Sequence, residues 1–97
     1  MIAPKVGEHK MTQAKYEKKM ETYGFGIGGT GGNCTAFWKD MKLGDSKLEV
    51  LIANECETPR IGEWAVVQFS DYNGNNFSFE LKDHNAVLMF ARSLITN

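Results

Sequence analysis

Gly24-Phe25-Gly26-Ile27-Gly28-Gly29-Thr30-Gly31-Gly32-Asn33-Cys34-Thr35 is the stretch on which the fold turns. It holds six of the ten glycines and separates a charged segment with helical spacing from a series of segments with strand spacing. Glycine brings no side chain to either periodicity and is depleted from strands. The stretch therefore reads as a glycine-rich loop between two halves. On that reading the chain is α+β: an N-terminal helix, a four-stranded antiparallel sheet of two hairpins, and a C-terminal helix packed on the sheet.

Upstream of the loop, residues 1 to 8 carry a proline, a glycine and little apolar content, and read as a loosely held arm. A helix is expected from about Thr12, its N-cap, to Tyr23. Tyr16, Met20 and Tyr23 follow the i, i+4, i+7 spacing of one helical face, with Lys15, Lys18, Lys19 and Glu21 elsewhere. So narrow a stripe predicts a helix on the surface of the domain. Gly24 supplies a left-handed stop, and Phe25 is placed to pack back on the last turn.

Downstream the period becomes two. Cys34 to Met41 and Lys47 to Ala53 flank Leu43-Gly44-Asp45-Ser46 and read as one hairpin. Asn54 to Gly62 is a loop. Glu63 to Ser70 and Asn76 to Leu81 form the second hairpin around Asn73-Gly74, because both residues tolerate positive φ. A helix from about Asp83 to Ile95 follows, apolar over more than half its circumference, and is expected to be the main core element against Phe77, Phe79 and Leu81.

The third predicted strand is apolar on both faces, with Trp64 and Val66 on one and Ala65, Val67 and Phe69 on the other. Leu51 and Ala53 add to the surplus. A sheet with one wet face does not need this. Three arrangements account for it: helices on opposite faces, a sheet curled into a partial barrel, or a homodimer in which a second subunit covers the extra face. The first two are favoured.

Composition sets the remaining bounds. Ninety-seven residues, 42% apolar and 24% charged, describe a single globular domain over 1-97 and exclude global disorder. No run approaches the roughly 20 apolar residues of a membrane span, and the start lacks a basic segment followed by an apolar one, so a soluble cytoplasmic protein is expected. Cys34 and Cys56 are not a C-x-x-C pair and are expected as two reduced thiols. Residues 1 to 39 carry six lysines against three glutamates, and residues 40 to 97 carry five cations against nine acids. That polarity can orient a partner without naming one.

Few residues are grouped for chemistry. G-x-G-x-x-G occurs twice, but a helix leads in and a strand leads out, the reverse of a dinucleotide site. What remains is a backbone nest for an anion or nucleotide, with Gly26, Gly28, Gly29, Thr30, Gly31, Gly32 and Asn33 as its candidate residues. Cys34, His84 and Asp83 would have to converge to make a nucleophile, base and orienting acid. No local motif supports that, and Asp83 reads more simply as an N-cap. His9, Cys34, Cys56 and His84, or Glu55 with Glu57, match no ligand spacing, so no metal or cofactor is expected. For nucleic acid, Lys10, Lys15, Lys18 and Lys19 would supply the contacts, whereas the acidic middle of the chain argues against a basic sheet platform.

Gly31-Gly32-Asn33-Cys34-Thr35-Ala36 resembles a turn entering a strand in small bacteriophage and mobile-element proteins that carry short β-hairpins after it. The resemblance implies an accessory protein acting on a host component and lends no catalytic residues. Together these readings describe a small non-catalytic protein acting through contact with a protein partner. Nucleic-acid binding by the first helix and anion binding at the glycine stretch are the alternatives.

Overall fold

The computed structural model describes residues 11 to 95, and the predicted arm at 1 to 8 lies outside them. The order is α1 (Gln13–Thr22), β1 (Gly26–Gly31), β2 (Cys34–Leu43), β3 (Ser46–Ala53), β4 (Ala65–Asp71), β5 (Asn76–Leu81) and α2 (His84–Ser93). The fold is α+β as expected, with five strands in place of four.

The added strand is the glycine-rich stretch itself. β1 pairs antiparallel with β2, from Gly26 opposite Trp38 to Gly31 opposite Cys34, with a bulge between Gly29 and Gly31. Only Gly32 and Asn33 are left as the turn, and Gly32 has φ 57°. A strand made mostly of glycine shows no alternation to read. Its stability comes from its neighbours: Ile27 packs against the core, Phe25 is buried just before it, and β2 pairs along its length.

The sheet order is β1-β2-β3-β4-β5, each strand antiparallel to the next, so the chain runs as a simple meander. Its ends are β1 and β5, which are not paired with each other. The sheet is therefore open and does not close into a barrel.

Both helices are capped as the sequence suggests. Thr12 Oγ1 accepts the N–H of Lys15 at 3.2 Å, and Asp83 Oδ1 accepts that of Ala86 at 2.9 Å. α1 ends in a Schellman motif: Phe25 N–H donates to Met20 O and Gly24 N–H to Glu21 O, both at 2.9 Å, with Gly24 at φ 94°.

The two helices lie on the same face of the sheet. Tyr16 and Met20 of α1, Val87 and Ala91 of α2, and Phe37, Val50, Ile52, Ala65 and Val67 of the strands form one buried cluster. Burial is distributed differently from expectation. α1, predicted at the surface, contributes the fully buried Tyr16 and Met20, because two large side chains one turn apart suffice to anchor a helix. α2 buries only Val87 and Ala91 completely, Phe90 meets Phe69 and Phe79 edge-on, and Met89 stays 74% exposed.

The β3–β4 connection is fastened to both helices. Gln13 donates from Nε2 to Pro59 O at 3.2 Å and accepts the N–H of Ile61 at 3.0 Å. Gly62 N–H donates to His84 Nδ1 at 3.0 Å. No helix among the described residues is long and apolar enough to cross a membrane.

Candidate functional site

Successive strand residues point to opposite faces. Phe37, Ile52 and Val67 share a cross-strand row with Ile27 and Phe79 and face the helices. The next row, Gly26, Trp38, Leu51, Gln68 and Ser78, faces the other way. No described element covers it, so helices on opposite faces are also excluded.

The centre of this open face is apolar. Ala36, Leu51, Ala53 and Val66 floor a shallow concavity of about 360 Å³, with Trp64, Gln68, Glu55 and Cys34 around it. Trp64 is 40% exposed and Trp38, on the β1 side, 39%. The Trp38 indole lies against Gly26: a Cβ at that glycine would come within 2.7 Å of the ring. Glycine is thus required at position 26 by the tryptophan. Trp64 is held through its backbone, where its carbonyl accepts from Asn54 Nδ2 at 2.8 Å.

One wall is built by a disulfide. Cys34 and Cys56 are bonded, which corrects the expectation of two reduced thiols. Asn54 and Glu57 exchange two backbone hydrogen bonds of 2.8 and 3.0 Å, closing a tight turn in which Glu55 takes φ 54°. That turn is laid against the start of β2, where Thr35 N–H donates to Cys56 O at 3.0 Å and Thr58 N–H to Thr35 Oγ1 at 3.0 Å. Residues 22 apart in sequence therefore meet because a turn folds back on a strand.

Charge borders the apolar centre. Asp40 and Glu49 stand directly opposite each other on β2 and β3, and Glu80 stands opposite Val66 on β5. Lys42 and Lys47 are also opposite each other, two rows further out and on the same face. Tyr72 leans over this end, its hydroxyl donating to Asp40 Oδ1 at 3.4 Å. The Asp40 charge, then desolvation and the Glu49 charge, raise the Tyr72 hydroxyl above the ordinary tyrosine value.

The residues singled out from sequence are dispersed. Gly26, Gly28, Gly29, Thr30 and Gly31 lie in edge strand β1 and Gly32 and Asn33 in its turn. Cys34 is held in the disulfide and has no thiolate to offer. His84 packs edge-on against Tyr16 in the helical layer, with Nδ1 occupied by Gly62 N–H. Lys15, Lys18 and Lys19 are exposed on α1, and Lys10 and His9 lie outside the described residues. Among the described residues no three potential ligands gather for a metal.

Two further polar groups stand out. Tyr16 Oη is buried and finds no hydrogen-bond partner among the described residues, and burial, aided by the Asp83 and Glu63 charges, pushes its hydroxyl far above the ordinary tyrosine value. Asp71 lies at the β4–β5 turn, where its carboxylate accepts from Asn75 Nδ2 and the backbone N–H groups of Asn75 and Asn73 at 2.9 to 3.0 Å. Those bonds hold its carboxyl below the ordinary aspartate value, the Asn75 side chain contributing most.

Sequence reasoning missed Trp38 and the disulfide as parts of one surface. The surplus of apolar residues at Leu51, Ala53, Trp64 and Val66 was the available signal. Comparison with protein-family models, curated proteins and solved structures returns no match.

Proposed function

We propose that the chain is a protein-interaction module whose docking surface is the uncovered face of the sheet. One observation carries this reading: both helices cover the same face, while Trp38, Leu51, Ala53, Trp64 and Val66 line the opposite one. Single exposed apolar residues are ordinary, whereas a contiguous patch rimmed by polar groups marks an interaction site. Tryptophan in particular supplies much contact area with little conformational freedom to lose. The likeness of Gly31 to Ala36 to phage and mobile-element proteins supports an accessory role, with a host component as the partner.

The test is a photoreactive side chain placed at Gln68, in the middle of the face, and separately at Arg92 in the helical layer. Gln68 is expected to give one defined protein adduct that excess unlabelled protein competes away, and Arg92 none. Adducts of equal yield at both positions, or only at Arg92, would overturn the reading.

A further inference from the structure

We propose that the segment docking on the open face carries arginine or lysine beside apolar side chains, with the cation seated between Asp40 and Glu49. This rests on the face being a docking surface and concerns what it accepts.

The first argument is size. A full tryptophan side chain spans roughly 250 Å², so exposures of 39% and 40% leave roughly 100 Å² on each indole. With the partly exposed Leu51, Ala53 and Val66 the patch amounts to a few hundred Å². A stable interface between folded proteins takes roughly 800 Å² from each side. Roughly 450 Å² of that is apolar, so the patch falls short of the apolar share of a stable dimer and suits a short segment.

The second argument is charge. Glu49 lies two residues before Leu51 on β3 and Asp40 two residues after Trp38 on β2, so both carboxylates share the face and its edge. Glu80 flanks Val66 from β5, and Glu55 borders the concavity. The cations of this side are fewer and gathered at one end: Lys42 and Lys47 oppose each other beyond the carboxylates and share a concavity with Asp40 and Tyr72, and Lys82 follows the end of β5. Like charges set directly across a sheet are unfavourable. Asp40 and Glu49 therefore face each other as like charges, and a guanidinium or ammonium inserted between them is attracted to both. The Tyr72 hydroxyl beside Asp40 stays protonated in this field, offering a donor to the carboxylates, and the face of its ring can receive a cation.

Other features carry less. The polar groove lined by Gln13, Glu17, Asn33, Glu57 and Arg60 mixes both signs of charge and selects no ligand. The unpartnered Tyr16 hydroxyl belongs to a fully buried side chain of the core, out of reach of a ligand. The uncharged edge of β1 could accept a further strand, but its glycines give that strand no sequence to recognise.

The experiment uses the full chain, labelled at backbone amides, indole N–H groups and leucine and valine methyls. It is titrated with three short peptides in which leucine alternates with arginine, serine or glutamate. The arginine peptide is expected to shift Trp38, Leu51, Trp64 and Val66 saturably. The joint substitution Asp40→Asn and Glu49→Gln should weaken it roughly fivefold or more while leaving the serine peptide unchanged. Equal affinity for all three peptides at this face, or preference for glutamate near Lys42 and Lys47, overturns the charge assignment and leaves the docking face standing. If no peptide moves the face, or sedimentation finds a dimer in which the face is already covered, the docking reading falls too.

Discussion

The two faces of the β-sheet are built from alternate residues of the same strands, yet they have different fates. On one face Phe37, Val50, Ile52 and Val67 are sealed beneath α1 and α2. On the other, one residue along, Trp38, Leu51 and Val66 lie under no described element, although their composition is nearly as apolar. Apolar area contributes to folding only when it leaves water. The covered face therefore holds the domain together, and whatever apolar area of the open face stays in water adds nothing to folding.

Breaking the covered face should have the largest effect. Phe37→Ala removes the ring that meets Tyr16 edge-on at 5.2 Å. It should cost about 3 to 5 kcal/mol in urea denaturation, a large part of the stability of a domain this size. Next is the disulfide beside the open face. Its closed loop spans 22 residues, so reduction or Cys56→Ser should lower stability by about 3 kcal/mol, read as a fall in Tm with reductant. Unchanged melting under reductant would mean that the β2 contact alone holds the turn.

Smaller effects sharpen the contrast. Gly26→Ala drives a Cβ into the Trp38 indole and should cost about 1 to 3 kcal/mol, with the Trp38 indole N–H moving in the spectrum and that of Trp64 staying in place. Tyr16→Phe removes a buried hydroxyl that lacks a partner, so stability should hold or rise by about 1 kcal/mol; a clear loss would reveal a hydrogen bond to a bound water. The Asp71 turn supplies a pH signature. Its carboxyl is held below the ordinary value in the fold, so its contribution is complete above the unfolded value, about 4, and is lost as pH falls through the folded one. The urea midpoints of the wild type and Asp71→Asn should differ at pH 7 and converge at pH 2, whereas a constant gap would remove the turn from the account.

How much of this was legible follows from the residues. Caps at Thr12 and Asp83, the Gly24 stop and strands β2 to β5 are local events, written within four or five residues of themselves. β1 was not legible, because its glycines show no alternation and its partner Trp38 lies beyond the turn. The Cys34–Cys56 bond depends on a turn meeting a distant strand, which spacing alone does not reveal. The open face was half legible: the surplus at Leu51, Ala53, Trp64 and Val66 could be counted. Which side each helix would take could not, since an amphipathic pattern shows that a helix has a buried face without naming the face of the sheet it covers.

Two adjacent residues give the most direct test. Ile52 faces the helices and Leu51 the open side, so Ile52→Ala and Leu51→Ala are compared by urea denaturation of the full chain. The account predicts that Ile52→Ala loses about 2 to 5 kcal/mol and Leu51→Ala about 1 kcal/mol or less. If Leu51→Ala loses as much as Ile52→Ala, the second face is buried in the folded protein and is no free docking surface.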